Sequence, residues 1–185
     1  MLFKRGFKSW CEMMAKDMRL KHRLGPADPI DPRKLARGLN IEVVSAKNVV
    51  GLSKNSAKIL FETDRDSWSA ITICVGSRKR ILLNPGHSLA RQASDLTHEL
   101  AHHILNHNPD DVGVSDDGML LLHAYDTRQE AEADWLAGCM LLPREALVSI
   151  KRQGITPDDA AQTYGVSRAM LKYRLAITGV NYQFS

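Results

Sequence analysis

The sequence predicts an α+β fold: a small antiparallel sheet packed on a helical layer, followed by a helix-turn-helix-like tail. Three observations lead to it. Leu89, Ala93, Leu96, Leu100 and Ile104 recur at the helical period and form one apolar stripe. Ser69–Val75 and Arg80–Leu83 are rich in aliphatic residues and joined by a Gly76-Ser77 turn, so they read as paired strands. Near the end, Thr156-Pro157-Asp158-Asp159 combines a cap, a proline at the first helical position and two acids, which is the composition of a helix start.

The other elements follow in chain order. Phe3, Phe7, Trp10, Met14 and Met18 lie at helical spacing, so residues 2–24 form an amphipathic helix whose stripe packs into the core. Gly25 ends it, and Pro26, Pro29 and Pro32 make a stiff connector. A short helix at Pro32–Leu39 leads to a strand at Ile41–Val44, and residues 51–66 lack periodicity. The striped helix runs from Ser88 to about Asn106. Residues 108–118 (NPDDVGVSDDG) are loop by composition, and their aspartates do not fit a calcium-binding EF-hand loop. A helix from Thr127 to Leu142 ends before Pro143, and two more cover about 157–164 and 168–177. This order suggests a main domain over residues 1–150 and an appendage over 151–185.

At 185 residues, 44% hydrophobic and 25% charged, the chain has the composition of a globular domain with a real core. No apolar run approaches the roughly 20 residues a membrane helix needs. Charges break up the N-terminal apolar residues, so a signal peptide is not expected and the cytoplasm is the expected location. Cys11, Cys74 and Cys139 are odd in number and far apart, which argues against a disulfide framework or a cysteine zinc knuckle and predicts buried free thiols. The net charge of +4 is uneven. Residues 1–40 carry ten Lys/Arg against four Asp/Glu, residues 41–150 ten against fifteen, and residues 151–185 five against two. Basic ends are compatible with nucleic acid or an acidic partner, but the simpler expectation is a solvated surface.

The chemistry is concentrated at His98-Glu99-Leu100-Ala101-His102, an HExxH motif on the helical layer. Imidazoles at i and i+4 lie one turn apart on one face and can bind one zinc ion. That face lies opposite the apolar stripe, so the two histidines are not core residues. Glu99, beside the open side of such a metal, can take a proton from the attacking water and pass it to the leaving amine. His103 and His107 fall near the stripe and are expected to serve packing or surface roles.

A catalytic zinc wants a third protein ligand and an open position. Glu130 and Asp134 share a face of the next helix, and Glu132 points about 200° away from Glu130. In this pattern Glu130 ligates while Asp134 accepts the spare N–H of a ligand histidine. A competing role exists for Glu130, because Thr127-x-x-Glu130 is also a capping box. Against it stands the apolar character of Ala133–Leu142, which places the helix in the interior, where Asp134 needs a partner such as His98.

These residues resemble the ImmA/IrrE family of metallopeptidases. The likeness rests on HELAHHILNH (98–107), EAEADWLAGCMLLP (130–143) and SAITI (69–73), and extends to PIDPRKLARGLNIEVV (29–44) and YGVSRAMLKYRL (164–175). It implies a gluzincin-like zinc endopeptidase with His98, His102 and Glu130 as ligands and Glu99 as general base. It also implies a substrate class, since family members cleave helix-turn-helix repressors and so derepress genes. Asp134 stands where Asn is frequent, and Trp135-Leu136 where an aromatic commonly precedes Ala; neither departure touches a ligand. No further sensor domain is expected after the tail helices.

In the tail, Ala161, Gly165 and Leu171 have helix-turn-helix offsets, and the second helix carries Arg168, Lys172 and Arg174. Three cations are a weak footprint for DNA, so the favoured expectation is a unit docked on the peptidase domain that orients substrate. The alternative is a DNA- or repressor-binding module with a structural zinc. His123, Tyr125, Tyr173 and Arg174 are each candidates to stabilise an oxyanion.

Overall fold

The computed structural model describes residues 3–45, 58, 68–75, 78–108, 111–114 and 120–184. The aperiodic stretch 51–66, apart from Lys58, and the Gly76-Ser77 turn lie outside these residues. So do the side chains of Cys74 and His123.

The α+β class is observed. Two helices open the chain, α1 (Phe7–Lys21) and α2 (Pro32–Gly38), followed by β1 (Glu42–Ser45), β2 (Ala70–Val75) and β3 (Arg78–Leu83). Then come α3 (Leu89–Leu105), β4 (Asp111–Val114), β5 (Leu120–Ala124) and α4 (Thr127–Leu141). The chain closes with α5 (Arg144–Arg152), α6 (Pro157–Tyr164), α7 (Arg168–Ile177) and a 3₁₀ turn (Val180–Gln183). No described helix is long and apolar enough to cross a membrane.

The sheet order is β1-β3-β2-β5-β4. It is mixed rather than wholly antiparallel, because β1 runs parallel to β3 while the other pairs are antiparallel. Part of the expected loop at 108–118 is the edge strand β4. The flanking aspartates and glycines of this stretch hide it, since the strand itself has only four residues. The helix α5 was also not expected, as Pro143 marked only an end; the proline is the N-cap from which α5 starts.

The helix ends follow local chemistry. Ser88 caps α3, its hydroxyl accepting from the Arg91 amide, and Thr156 and Ser167 cap α6 and α7 in the same way. Asn106 ends α3 in the left-handed region at φ 54°, a conformation asparagine tolerates. Gly165 occupies the same region at φ 63° between α6 and α7. Two helices and a turn are thus present where the tail was expected.

One core cluster joins α1, α2, the sheet, α3 and α4 through residues such as Leu35, Ile81, Leu96, Leu100 and Leu136. A second gathers Leu142, Leu147, Tyr164 and Leu171 around the tail. Two buried arginines tie the layers together. Arg19 of α1 donates to the carbonyls of Asp28, Ala15 and Met140. Burial pushes its guanidinium down to about 10, still charged at neutral pH. Arg174 of α7 is wholly buried and donates to the Leu142 carbonyl and to Glu12 Oε1 at 2.8 Å. It is therefore a structural residue, not a cation facing DNA or an oxyanion. Arg168 pairs with Asp158.

Candidate metal centre

Helices α3 and α4 pack together and bring the motif histidines against Glu130. Ser88 starts α3 on a surface turn, and Leu96 and Leu100 are buried beneath it, so the opposite face turns toward α4. His98 Nε2 and His102 Nε2 lie 2.9 Å apart. Glu130 Oε2 is 3.2 Å from the first and Glu130 Oε1 is 3.4 Å from the second. The three side chains offer ligand atoms that all lie within 4.8 Å of one another and can hold a metal ion.

The capping alternative for Glu130 is removed by the start of α4. The N-cap is Asp126, whose carboxylate accepts from the Gln129 amide at 2.7 Å, and Thr127 is already inside the helix. Glu130 is therefore one turn in, with its carboxylate turned to the histidines. Asp134 Oδ1 meets His98 Nδ1 at 2.9 Å. The expectation that Asp134 sits in the interior is corrected, because its side chain is 74% exposed. The buried stripe of α4 begins at Ala133 and passes by Asp134 on the solvent side.

The other histidine is held differently. His102 Nδ1 lies 3.0 Å from His107 Nδ1, and the Tyr125 ring stacks on His102 with centroids 3.7 Å apart. With a proton on each Nδ1, directed at Asp134 and at His107, both Nε2 atoms present lone pairs beside Glu130. In that state two neutral imidazoles and a carboxylate converge as donors, a set that fits a divalent ion such as zinc.

His107 is, as expected, outside the ligand set, but it packs against His102 and not on the apolar stripe that its helical-wheel position suggested. The wheel fails because α3 stops at Leu105, and the left-handed Asn106 folds the chain back. The His107 amide then bonds the His102 carbonyl at 3.0 Å. Asparagine after a helical stripe is the one sequence signal that could have shown this. His103 does keep a surface role, near Lys79.

Glu99 lies under β2, where the Thr72 hydroxyl donates to its Oε2 at 2.5 Å. Burial raises the Glu99 carboxyl above its ordinary value, against the lowering effect of Thr72 and of His98. A carboxylate more basic than usual suits proton abstraction from water. Thr72 was not singled out from sequence, where it reads only as the polar residue between two strand isoleucines.

The two histidines differ in charge preference. Burial, followed by the charges of His98 and His107, lowers His102 to about 3, so it is neutral and its Nε2 can ligate. For His98 burial also lowers, but the hydrogen bond to Asp134 and the charges of Asp134, Glu99 and Glu130 outweigh it and the net shift is upward.

Clefts open on both sides of Glu99. One is lined by Thr72, Lys79, His102 and Tyr125, the other by Ser69, Asp95, His98, Asp134 and Met170. Of the residues considered for an oxyanion, Tyr125 lines the cleft, whereas Tyr173 is half exposed on α7.

The curated proteins compared with this chain include none that matches it. A family model described as the IrrE N-terminal-like domain does match, over residues 40–176, a span that takes in both cleft walls and every residue of the centre. That family supports a metallopeptidase-type activity on a protein substrate. The match covers well over half the chain, and the protein belongs to the IrrE N-terminal-like peptidase family.

Proposed function

We propose that the protein is a zinc-dependent endopeptidase that cleaves a helix-turn-helix transcriptional repressor and so derepresses its target genes. The observation that carries this reading is the convergence of His98, His102 and Glu130 donor atoms within 4.8 Å beside the carboxylate of Glu99. His98, His102 and Glu130 would hold the zinc, three protein ligands being the number a catalytic zinc takes. When bound there, zinc supplies Lewis acidity that polarises the scissile carbonyl and acidifies a water molecule.

The remaining chemistry belongs to the chain's own groups. Glu99 accepts the water's proton at its carboxylate and returns it to the departing amide nitrogen. Thr72 holds that carboxylate in place. Asp134 orients His98 from its Nδ1 side. Clefts on both sides of Glu99 suit an extended substrate that continues past the cut in both directions, as an endopeptidase requires.

Residues 1–150 act in this reading as the peptidase domain and 151–185 as an appendage that borders the cleft through Met170. The burial of Arg174 favours docking of that appendage over DNA binding. The repressor as substrate rests on the resemblance of residues 98–107 and 130–143 to the ImmA/IrrE family. It implies work in the cytoplasm, where such repressors act.

The test is incubation of the zinc-loaded protein with the repressor encoded beside its gene, assayed for fragments. Cleavage by the parent, with most of it lost in Glu99→Gln while the zinc is kept, is the expected result. Equal cleavage by Glu99→Gln rules out the proposed general base. A parent that binds zinc and never cuts points to a binding module.

A further inference from the structure

We propose that His107 and Glu132 form a positioning relay that sets the tautomer and orientation of His102 for metal binding. The proposal rests on the reading of His98, His102 and Glu130 as ligands and adds two residues to which that reading assigns nothing.

Glu132 was expected to face away from the site with no part in it. It does leave Glu130's flank of α4, but the flank it occupies is where His107 arrives after the turn at Asn106. His107 Nε2 lies 3.3 Å from Glu132 Oε2, and Glu132 Oε1 accepts from Arg128 Nε at 2.9 Å. The side chains of His107 and Glu132 are only 8% and 13% exposed. A continuous chain therefore runs from His102 Nδ1 through both rings to a carboxylate anchored by Arg128.

The proton positions along this chain follow from one requirement. If His102 ligates through Nε2, its proton sits on Nδ1 and donates to His107. His107 then accepts at Nδ1, so its own proton is on Nε2. That proton points at the Glu132 carboxyl oxygen, which accepts it. Every donor meets an acceptor, and no other arrangement leaves the His102 Nε2 lone pair open while satisfying the carboxylate. His98 receives the same service directly from the exposed Asp134. His102 has a side chain only 2% exposed, where water cannot replace a missing partner, and it needs the longer route.

A purely structural tie between the end of α3 and α4 is the competing explanation. Zn²⁺ affinity by chelator competition separates the two, measured for the parent, His107→Phe, His107→Gln and Glu132→Ala. Unfolding of each metal-free form is followed in parallel. The relay predicts that His107→Phe and Glu132→Ala weaken Zn²⁺ binding about 10–100-fold, the range for a lost partner of a ligand histidine. His107→Gln should recover part of the loss, because its carbonyl can still accept from His102 Nδ1. A structural tie predicts lower metal-free stability for all three variants with parental Zn²⁺ affinity, and that result overturns the relay.

A parent that binds no Zn²⁺ overturns the ligand assignment and the relay together, whereas parental affinity in the variants overturns the relay alone. Should a variant fail to fold, long-range ¹H–¹⁵N spectra of the zinc-loaded parent decide the matter. Protons on His102 Nδ1 and His107 Nε2 support the relay, and a proton on His107 Nδ1 excludes it.

Discussion

Glu99 and His98 are neighbours in sequence, yet they meet different partners because adjacent helical positions point about 100° apart. His98 faces α4 and is held by Asp134, while Glu99 faces β2 and is held by Thr72. The Thr72 contact has a kinetic consequence. A hydrogen bond to a charged group is worth about 1.5–3 kcal/mol, so Thr72→Val should lower kcat roughly tenfold or more. KM and zinc affinity should stay close to the parent's. Steady-state kinetics on a repressor substrate checks this, and a loss seen only in KM would mean that Thr72 contacts substrate instead. His98, Glu99 and His102 were legible in the sequence because their relation is set within one helix. Glu130 was legible only as one of two roles, and the cap at Asp126 removes the capping one. Thr72 and His107 were not legible. The first depends on how a strand packs under α3, and the second on a single left-handed residue at the helix end.

Elements with local start and stop chemistry were read from the sequence to within a residue or two. The bounds of α6 and α7 follow from the Thr156 and Ser167 caps and from Gly165. The first helix was read too long at both ends; α1 begins only after Gly6, at φ 87°, and stops at Lys21. Strand β4 was missed because it is a four-residue edge strand inside a loop-like stretch, and the interior strand β5 because a short apolar run does not by itself distinguish strand from helix. The parallel pairing of β1 with β3 brings together residues nearly forty positions apart, a choice no local pattern encodes. The cap of α4 offers a test at this scale. Asp126→Ala should lower the thermal midpoint, since the Gln129 amide loses its acceptor. Thr127→Ala should leave the midpoint near the parent's. The reverse order would restore the capping box and a structural role for Glu130.

Across the whole molecule, the peptidase core and the tail are joined by buried charge. Glu12 of α1 accepts from Arg174 of α7 and from the Arg144 amide, so three separate segments meet at one carboxylate. Gly138 permits this approach, as a Cβ there would stand 3.0 Å from Arg174 Cδ. Breaking a buried pair strands its partner, at a cost of about 3–5 kcal/mol. Glu12→Ala should therefore destabilise the protein by about that much in chemical denaturation. A loss below about 1 kcal/mol, the level of a surface ion pair, would show that the tail is held by apolar packing alone. That attachment keeps Met170 at the cleft beside the metal centre. The centre itself is tested most directly by zinc content after parallel purification of the parent, Glu130→Gln and Glu99→Gln. The account predicts about one zinc per chain in the parent and in Glu99→Gln, and little in Glu130→Gln. Full zinc in Glu130→Gln, or none in the parent, would contradict it.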